Sequence, residues 1–230
     1  MIGLYAMKGG VGVSVLAAVI AAHLAGDDAG ALLVDLAGEQ EALLGLPASD
    51  APGLADWLAA GDESPVTALH RLERPVVDGL VLLPRGAGPM VAGPRMDSLV
   101  KALEQNARAV VVDCGSYPAV ASSVCADAEA RIRVAAACET TWMVARRCYL
   151  SVRASAKTPI EADGIVLVSE TGRVLSPTDV SVAVGAPIAL DVALDLGLSR
   201  TVDAGLLPGR VPRSLRRVIG RALFDLSRNR

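Results

Sequence analysis

Apolar residues in this chain follow two patterns. Short, mostly apolar runs end at Met7 and cover 31–35, 76–83, 109–113, 132–137 (with Arg133 inside it), 164–168 and 186–190, and each reads as a buried strand. Asp78-Gly79 interrupts the run at 76–83. Between the runs, spacings of three and four predict helices at 15–25, 39–46, 54–59, 96–105, 141–154 and 178–184. In the helix at 96–105, for example, Met96, Leu99, Val100 and Leu103 share one face. Turn signals at Pro47, Pro52-Gly53 and Gly61 separate the early helices, and 85–94 is an irregular connection rich in Gly and Pro. Unbroken strands alternating with helices predict an α/β fold: a doubly wound, mostly parallel sheet of about seven strands with helices on both faces. Neither an internal repeat nor a low-complexity linker is apparent, so 1–230 reads as one domain.

Composition changes this picture little. The chain is 52% hydrophobic with a mean hydropathy of +0.45, and much of the excess is alanine and valine. That leaves open a small-residue bias or an apolar interface with a partner or a second copy. No run reaches the roughly 18–20 apolar residues of a membrane span, and the start lacks the basic-then-apolar layout of a secretory signal. Cys114, Cys125, Cys138 and Cys148 form no C-x-x-C pair and read as small apolar residues of a reducing cytoplasm. His23 and His70 have no ligand spacing to any cysteine, and Trp57, Trp142 and Tyr149 are too sparse for base stacking.

Charge is more informative. After Gly205 seven arginines stand against Asp225 alone, a local +6 that leaves −9 on the rest of a chain whose net charge is −3. Residues 211–230 carry this charge on an amphipathic helix. Leu215, Val218, Ile219, Ala222, Leu223 and Leu226 fall on one face, and Arg213, Arg216, Arg217, Arg221 and Arg228 mostly on another. Three readings stay open: attachment to an anionic membrane surface, nonspecific contact with DNA phosphates, or docking on the domain with the arginines in solvent. Gly220 in mid-helix weakens the pattern.

The candidate chemistry lies at the start. Lys8-Gly9-Gly10-Val11-Gly12-Val13-Ser14 joins the first strand to the first helix. This is the layout of a phosphate-binding loop, in which glycines let backbone N–H groups close around phosphate oxygens at a helix N-terminus. Against G-x-x-x-x-G-K-[ST], Gly12 and Ser14 match, but Val13 stands in the place of the lysine. Asp35 and Asp113 each end a strand, and in a parallel sheet those ends converge on the loop. They are candidates, with Ser14, for holding Mg²⁺, or else caps of the turns that follow them.

These residues resemble the ParA/MinD group of P-loop ATPases. Lys8-Gly-Gly-Val-Gly is similar to the K-G-G-x-G-K-[ST] loop of that group, Leu33-Val-Asp35-Leu-Ala37-Gly-Glu-Gln40 to its V-D-x-D-x-Q segment, and Val111-Val-Asp113 to its second acidic strand end. Weaker matches, Leu43-Leu-Gly-Leu, the strand ending at Pro84, Gly185-Ala-Pro-Ile and Val202-Asp-Ala-Gly205, resemble the CpaE/TadZ branch, whose members are linked to assembling Tad-type pili. The receiver-like domain many of them carry is not found in this sequence.

Three departures bear on activity. The resemblance implies a lysine against the β/γ-phosphates at Val13, and charge-assisted hydrogen bonds contribute about 1.5–3 kcal/mol each, so its loss weakens ATP binding. Ala37 occupies the place of the aspartate that the family uses to position water, a role of the kind that contributes about 10²–10⁴-fold. Ser169 and Glu170 stand where an asparagine for adenine is common. Lys8 corresponds to the signature lysine that reaches the partner's phosphates in a sandwich dimer, or is a solvated lysine kept by descent.

The expectation is therefore a ParA/MinD-like pseudo-ATPase with little or no hydrolysis. ATP or ADP with Mg²⁺ would be held weakly by residues 8–14, or not at all, with Lys8, Asp35 and Asp113 as vestigial catalytic candidates. It would act as a homodimer and with protein partners as a localisation or assembly factor for a Tad-type pilus or another bacterial envelope machine. Its place would be the cytoplasm, or peripherally at the inner face of the membrane. The alternatives are a slow ATP-dependent dimerisation switch using Lys8, and a positioning factor that binds DNA or membrane through residues 211–230.

Overall fold

The computed structural model describes residues 1–47, 49–60, 65–117, 126–207 and 209–228. The chain opens with β1 (Ile2–Ala6), α1 (Val13–Leu24) and β2 (Ala31–Asp35). Short helices α2 (Gln40–Leu43), α3 (Leu54–Ala59) and α4 (Leu69–Leu72) lead to the hairpin β3 (Arg74–Val77) and β4 (Leu80–Leu83). Next come α5 (Arg95–Glu104), β5 (Ala109–Ser116), α6 (Ala126–Ala136), β6 (Thr140–Arg146), α7 (Tyr149–Ser155) and β7 (Gly164–Ser169). The last elements are α8 (Pro177–Val184), β8 (Ile188–Ala193), α9 (Leu196–Asp203) and α10 (Arg213–Arg228).

The eight strands form one sheet in the order β3-β4-β2-β5-β1-β6-β7-β8, parallel throughout except where β3 meets β4. The α/β expectation holds with one strand more than expected: the interrupted run at 76–83 becomes part of a hairpin turning at Asp78-Gly79, with Gly79 at φ 73°. Side chains alternate strictly across the central strands, as the pleat requires. Leu4, Leu33, Val111 and Val144 face the core under α1 and α10, whereas Tyr5, Leu32, Val34, Val110, Val112 and Met143 face the core under α3, α5 and α6. The helix α1 is deeply buried, and its alanines at 17, 18 and 21 let it lie close against the sheet.

Two assignments are corrected. Residues 132–136, within the stretch 132–137 expected as a strand, continue α6, because Ala130, Val134 and Ala135 recur on the buried side at helical spacing while Arg133 points outward to Asp97. The strand lies instead at β6, inside the stretch expected as a helix at 141–154. Its Thr140-Thr-Trp-Met-Val run has the branched and aromatic character that suits a pleated, buried surface, and the helix begins only at Tyr149. The short α4 and the amphipathic α9 were not anticipated. Cys114 is buried, Cys138 and Cys148 are half-buried, and all three are free thiols; Cys125 and Gly61 lie outside the described residues.

The helix α10 buries Leu215 and Ile219 and rests on α1 and β8. Gly220 has a role here: a Cβ at this position would sit 3.1 Å from the His23 ring, so its absence lets α10 approach α1. Arg213, Arg216, Arg217, Arg221 and Arg228 are all exposed. Among the described residues, no helix is long and apolar enough to cross a membrane.

The loops after α2 and α9 meet backbone to backbone. Gly45 has φ 66°, and a Cβ there would lie 2.2 Å from the Gly205 carbonyl oxygen. Gly45→Ala is therefore expected to lower the unfolding free energy by about 2 kcal/mol or more. Gly10→Ala, at φ 73° but with open space around the added carbon, should cost only about 1 kcal/mol. Urea unfolding of the two variants beside the parent checks the ranking.

Candidate functional site

The carboxyl ends of β1, β2 and β5 bring the predicted residues together. Asp35 and Asp113 are direct register partners on adjacent parallel strands, and Ala6, just before the loop, pairs with Ser116. The loop of residues 8–12 turns through Gly10 (φ 73°) and Gly12 (φ 98°), conformations open to glycine. Gly12 is the N-cap of α1, no side chain caps it, and the first turn carries no acidic residue. The N–H groups of that turn are left for a ligand or solvent.

Loop residues 8–15 line a cavity of about 380 Å³ together with Ala37, Glu39, Leu43, Gly115, Ser116 and Arg131. Lys8, Gly9 and Gly10 are exposed at its mouth. Val13 is only 6% exposed and packs within the core under α1. A second, more apolar cavity of about 270 Å³ shares Gly10, Val11, Gly12 and Val15 and continues over Leu16, Val168, Val192 and Leu198 to Arg146 and Asp195. Neither Ser169 nor Glu170 lines it: the Ser169 hydroxyl bonds Asp191, and Glu170 pairs with Arg146 and Arg173.

Behind the loop stands a buried polar cluster. Asp35 accepts hydrogen bonds from the backbone N–H groups of Ala37 (2.9 Å), Gly38 (2.6 Å) and Gln40 (2.9 Å), which is the turn-capping arrangement. Asp113 accepts from the Gly115 N–H at 3.0 Å and from Gln40 Nε2 at 2.7 Å. The same Gln40 nitrogen donates to the Ser14 carbonyl at 2.9 Å, so one amide ties β5 to the start of α1. The carboxylates are 1% and 0% exposed, too little for water to stabilise their charges. Burial raises the Asp35 pKa against the opposing backbone N–H groups of Gln40, Gly38, Ala37 and Glu39. Burial, and after it the charge of Asp35, pushes Asp113 up to about 6, with Gln40, Ser14 and the Gly115 N–H pulling the other way.

The residues present suit an anion better than a metal ion. The loop offers backbone donors, and of the three Mg²⁺ candidates only Ser14 lines the cavity. Asp35 and Asp113 sit behind it with both carboxylate oxygens of each already hydrogen-bonded. Among the described residues, no group of three or more His, Cys, Asp and Glu side chains is placed to hold a metal. Sequence reasoning matched Gln40 to a motif without giving it a role, and it missed Arg131 altogether. The motif could have pointed to Gln40; nothing local points to Arg131, which reaches the cavity only because α6 packs against β5.

No protein-family model matches the chain, and no curated protein matches its sequence. Solved structures do resemble it. A ParA family ATPase from Chlorobium tepidum TLS superposes with a TM-score of 0.71 at 20% identity, over 96% of this chain and 98% of that one. The cell division protein MinD of Aquifex aeolicus gives 0.72 at 19%, over 98% and 96%. MinD of Pyrococcus horikoshii OT3, solved with Mg-ADP, gives 0.69 at 18%, over 89% and 85%. At these identities the likeness is one of fold: the architecture is that of the ParA/MinD P-loop ATPases.

The carboxylate cluster makes stability depend on pH. The Asp113 pKa is raised from 3.8 to about 6 in the fold, so its protonated form favours folding. That contribution is complete below the unfolded value and is lost as pH rises through about 6. Asp113→Asn removes the ionisation. The variant's unfolding free energy should gain on the parent's by roughly 2–3 kcal/mol between about pH 4 and pH 7, measured by urea unfolding at each pH.

Proposed function

We propose that this chain is a ParA/MinD-like pseudo-ATPase: a nucleotide-binding scaffold that supports little or no turnover and acts as a localisation or assembly factor. The observation that carries the reading is the asymmetry of the loop cavity. Its backbone half is intact, with Gly10 and Gly12 in left-handed turns and uncapped amides at the start of α1. Its side-chain half is reduced, with a valine buried in the core at position 13 and a methyl group at position 37. Such a cavity supports binding of a phosphate group by amide donors and leaves no carboxylate on the cavity wall at position 37 to position water.

In this reading residues 9–14 would hold the phosphates, and the apolar second cavity that shares Gly10, Val11, Gly12 and Val15 would receive the base. Ser14, which lines the cavity, would be the residue to meet any Mg²⁺ carried in with the nucleotide, while Asp35 and Asp113 behind it would supply negative charge without direct ligation. Lys8, exposed at the mouth, is placed to meet phosphate from its own site or from a second copy. Exposed Tyr149, Leu150, Val182 and Leu196, between 60% and 78% accessible, support contact with a second copy or with protein partners. A Tad-type pilus or another bacterial envelope machine, in the cytoplasm or at the inner membrane face, is the setting that the weaker motif matches favour.

A second reading has its own support. Among the described residues, Arg213, Arg216, Arg217 and Arg221 make no ion pair, and together they form an exposed basic row on α10. That row suits an anionic lipid surface or DNA phosphates.

Mant-ATP titration and ATP turnover measured on the full chain test the main reading. Weak binding and no turnover above background are expected. Val13→Lys should tighten binding by about tenfold or more, because it restores a charge-assisted contact. Turnover that is abolished by Lys8→Ala would show instead a working ATPase using Lys8.

A further inference from the structure

We infer that Arg131 replaces the missing loop lysine as the cation that faces a phosphate-bearing ligand in the loop cavity. The inference deepens the proposed function and rests on its reading of the cavity as a nucleotide cradle. Arg131 belongs to α6, matches no motif, and is the cavity's one cationic lining residue besides Lys8 among the described residues.

The guanidinium is fixed in place by its neighbours. Nη2 pairs with Asp127 at 2.8 Å, Nη1 donates to the Cys114 carbonyl at 3.4 Å, and the group lies 5.5 Å from the centre of the Tyr117 ring. The pairing does not cancel its charge, because Asp127 is shared: its other oxygen is taken by Arg85. Two guanidinium groups on one carboxylate leave a net charge of +1 on this trio, and the cavity wall as a whole carries Lys8 and Arg131 against Glu39. Arg131 is 13% exposed, so this charge is only partly screened by water.

The substitution at position 37 matters here. A carbon placed as a Cβ on Gly115 would lie 2.9 Å from Arg131 Nη1 and 3.1 Å from the Ala37 methyl. The guanidinium and residue 37 thus flank the same point. A carboxylate at position 37 would lie beside Arg131 and claim it. Alanine leaves the guanidinium available to an incoming anion, so the two lost motif residues are linked: without the carboxylate at 37, charge for the phosphate can come from the opposite wall. Gly115, at φ 67°, keeps the space between them open.

The test is mant-ADP titration of the full-length protein at low salt, with circular dichroism to confirm folding. Arg131→Ala should weaken binding by about tenfold, and Arg131→Lys should recover part of the loss. Asp127→Asn removes the shared carboxylate, raises the local charge, and should tighten binding. A purely structural ion pair predicts the opposite for that variant, since losing either partner would then weaken binding alike. Ala37→Asp should weaken binding by claiming the guanidinium. Parent-like affinity in Arg131→Ala, or parallel weakening in Arg131→Ala and Asp127→Asn, overturns the assignment and leaves the cradle reading standing. No binding by the parent protein overturns both. If Arg131→Ala does not fold, the sign of the Asp127→Asn effect decides.

Discussion

Two carboxylates buried side by side govern the geometry at the top of this sheet. Asp35 and Asp113 end adjacent parallel strands in direct register, so the sheet itself forces them together. Like charges this close and this dry are unfavourable, and the fold meets the cost with hydrogen bonds rather than with a counter-ion. Three backbone N–H groups close on Asp35, which fixes the turn through Ala37 and Gly38 into α2. The Gln40 amide then bridges Asp113 to the first turn of α1. The loop, the start of α1 and the turn after β2 are held by one cluster.

That cluster holds the shape of the site with a valine at position 13 and an alanine at position 37. The loop is positioned by backbone conformation and by Gln40, neither of which needs a side-chain cation. Val13 adds to the core under α1, where its burial is favourable by roughly 1.5–3 kcal/mol. Ala37 presents its N–H to Asp35, a contact any residue at that position except proline can make. The two departures therefore fall at positions where the scaffold depends on the backbone, and the chemistry is separable from the fold. Besides Lys8 of the loop itself, the positive charge on the cavity wall is tertiary, carried from α6 on Arg131, which shares Asp127 with Arg85.

What could be read from the sequence was local. The loop, β2 and β5 carry their own signals: glycines at a strand-to-helix junction and unbroken apolar runs ending in aspartate. The capping role of Asp35 was one of two readings its position allowed, and the structure shows that arrangement. Residues 132–137 and 141–146 depart from expectation because Ile132 and Val134 favour a strand while the alanines beside them favour a helix, and the run 132–137 has no turn residue inside it to break the ambiguity. The β-branched and aromatic character of Thr140-Thr-Trp-Met-Val is the better strand signal, but it lies inside an expected helix that begins only at Tyr149. Arg131 was out of reach for a different reason. Its place beside Ala37 depends on the packing of α6 on β5, and no spacing in the chain encodes that contact.

The last helix shows how closely docking and surface binding compete. Burying Leu215 and Ile219 against the domain is worth roughly 1.5–3 kcal/mol per side chain. Five exposed arginines near an anionic bilayer are worth about 1 kcal/mol each. The two sums are of similar size, so an undocked helix gains little from charge that the docked helix does not already offer. The arginines face solvent while the apolar face stays on α1 and β8. Gly220 reinforces the docked state, because its bare backbone against His23 is a fit to α1 that a lipid surface would not require. An anionic surface can therefore be met by α10 as it stands, with the basic row outward and the core intact.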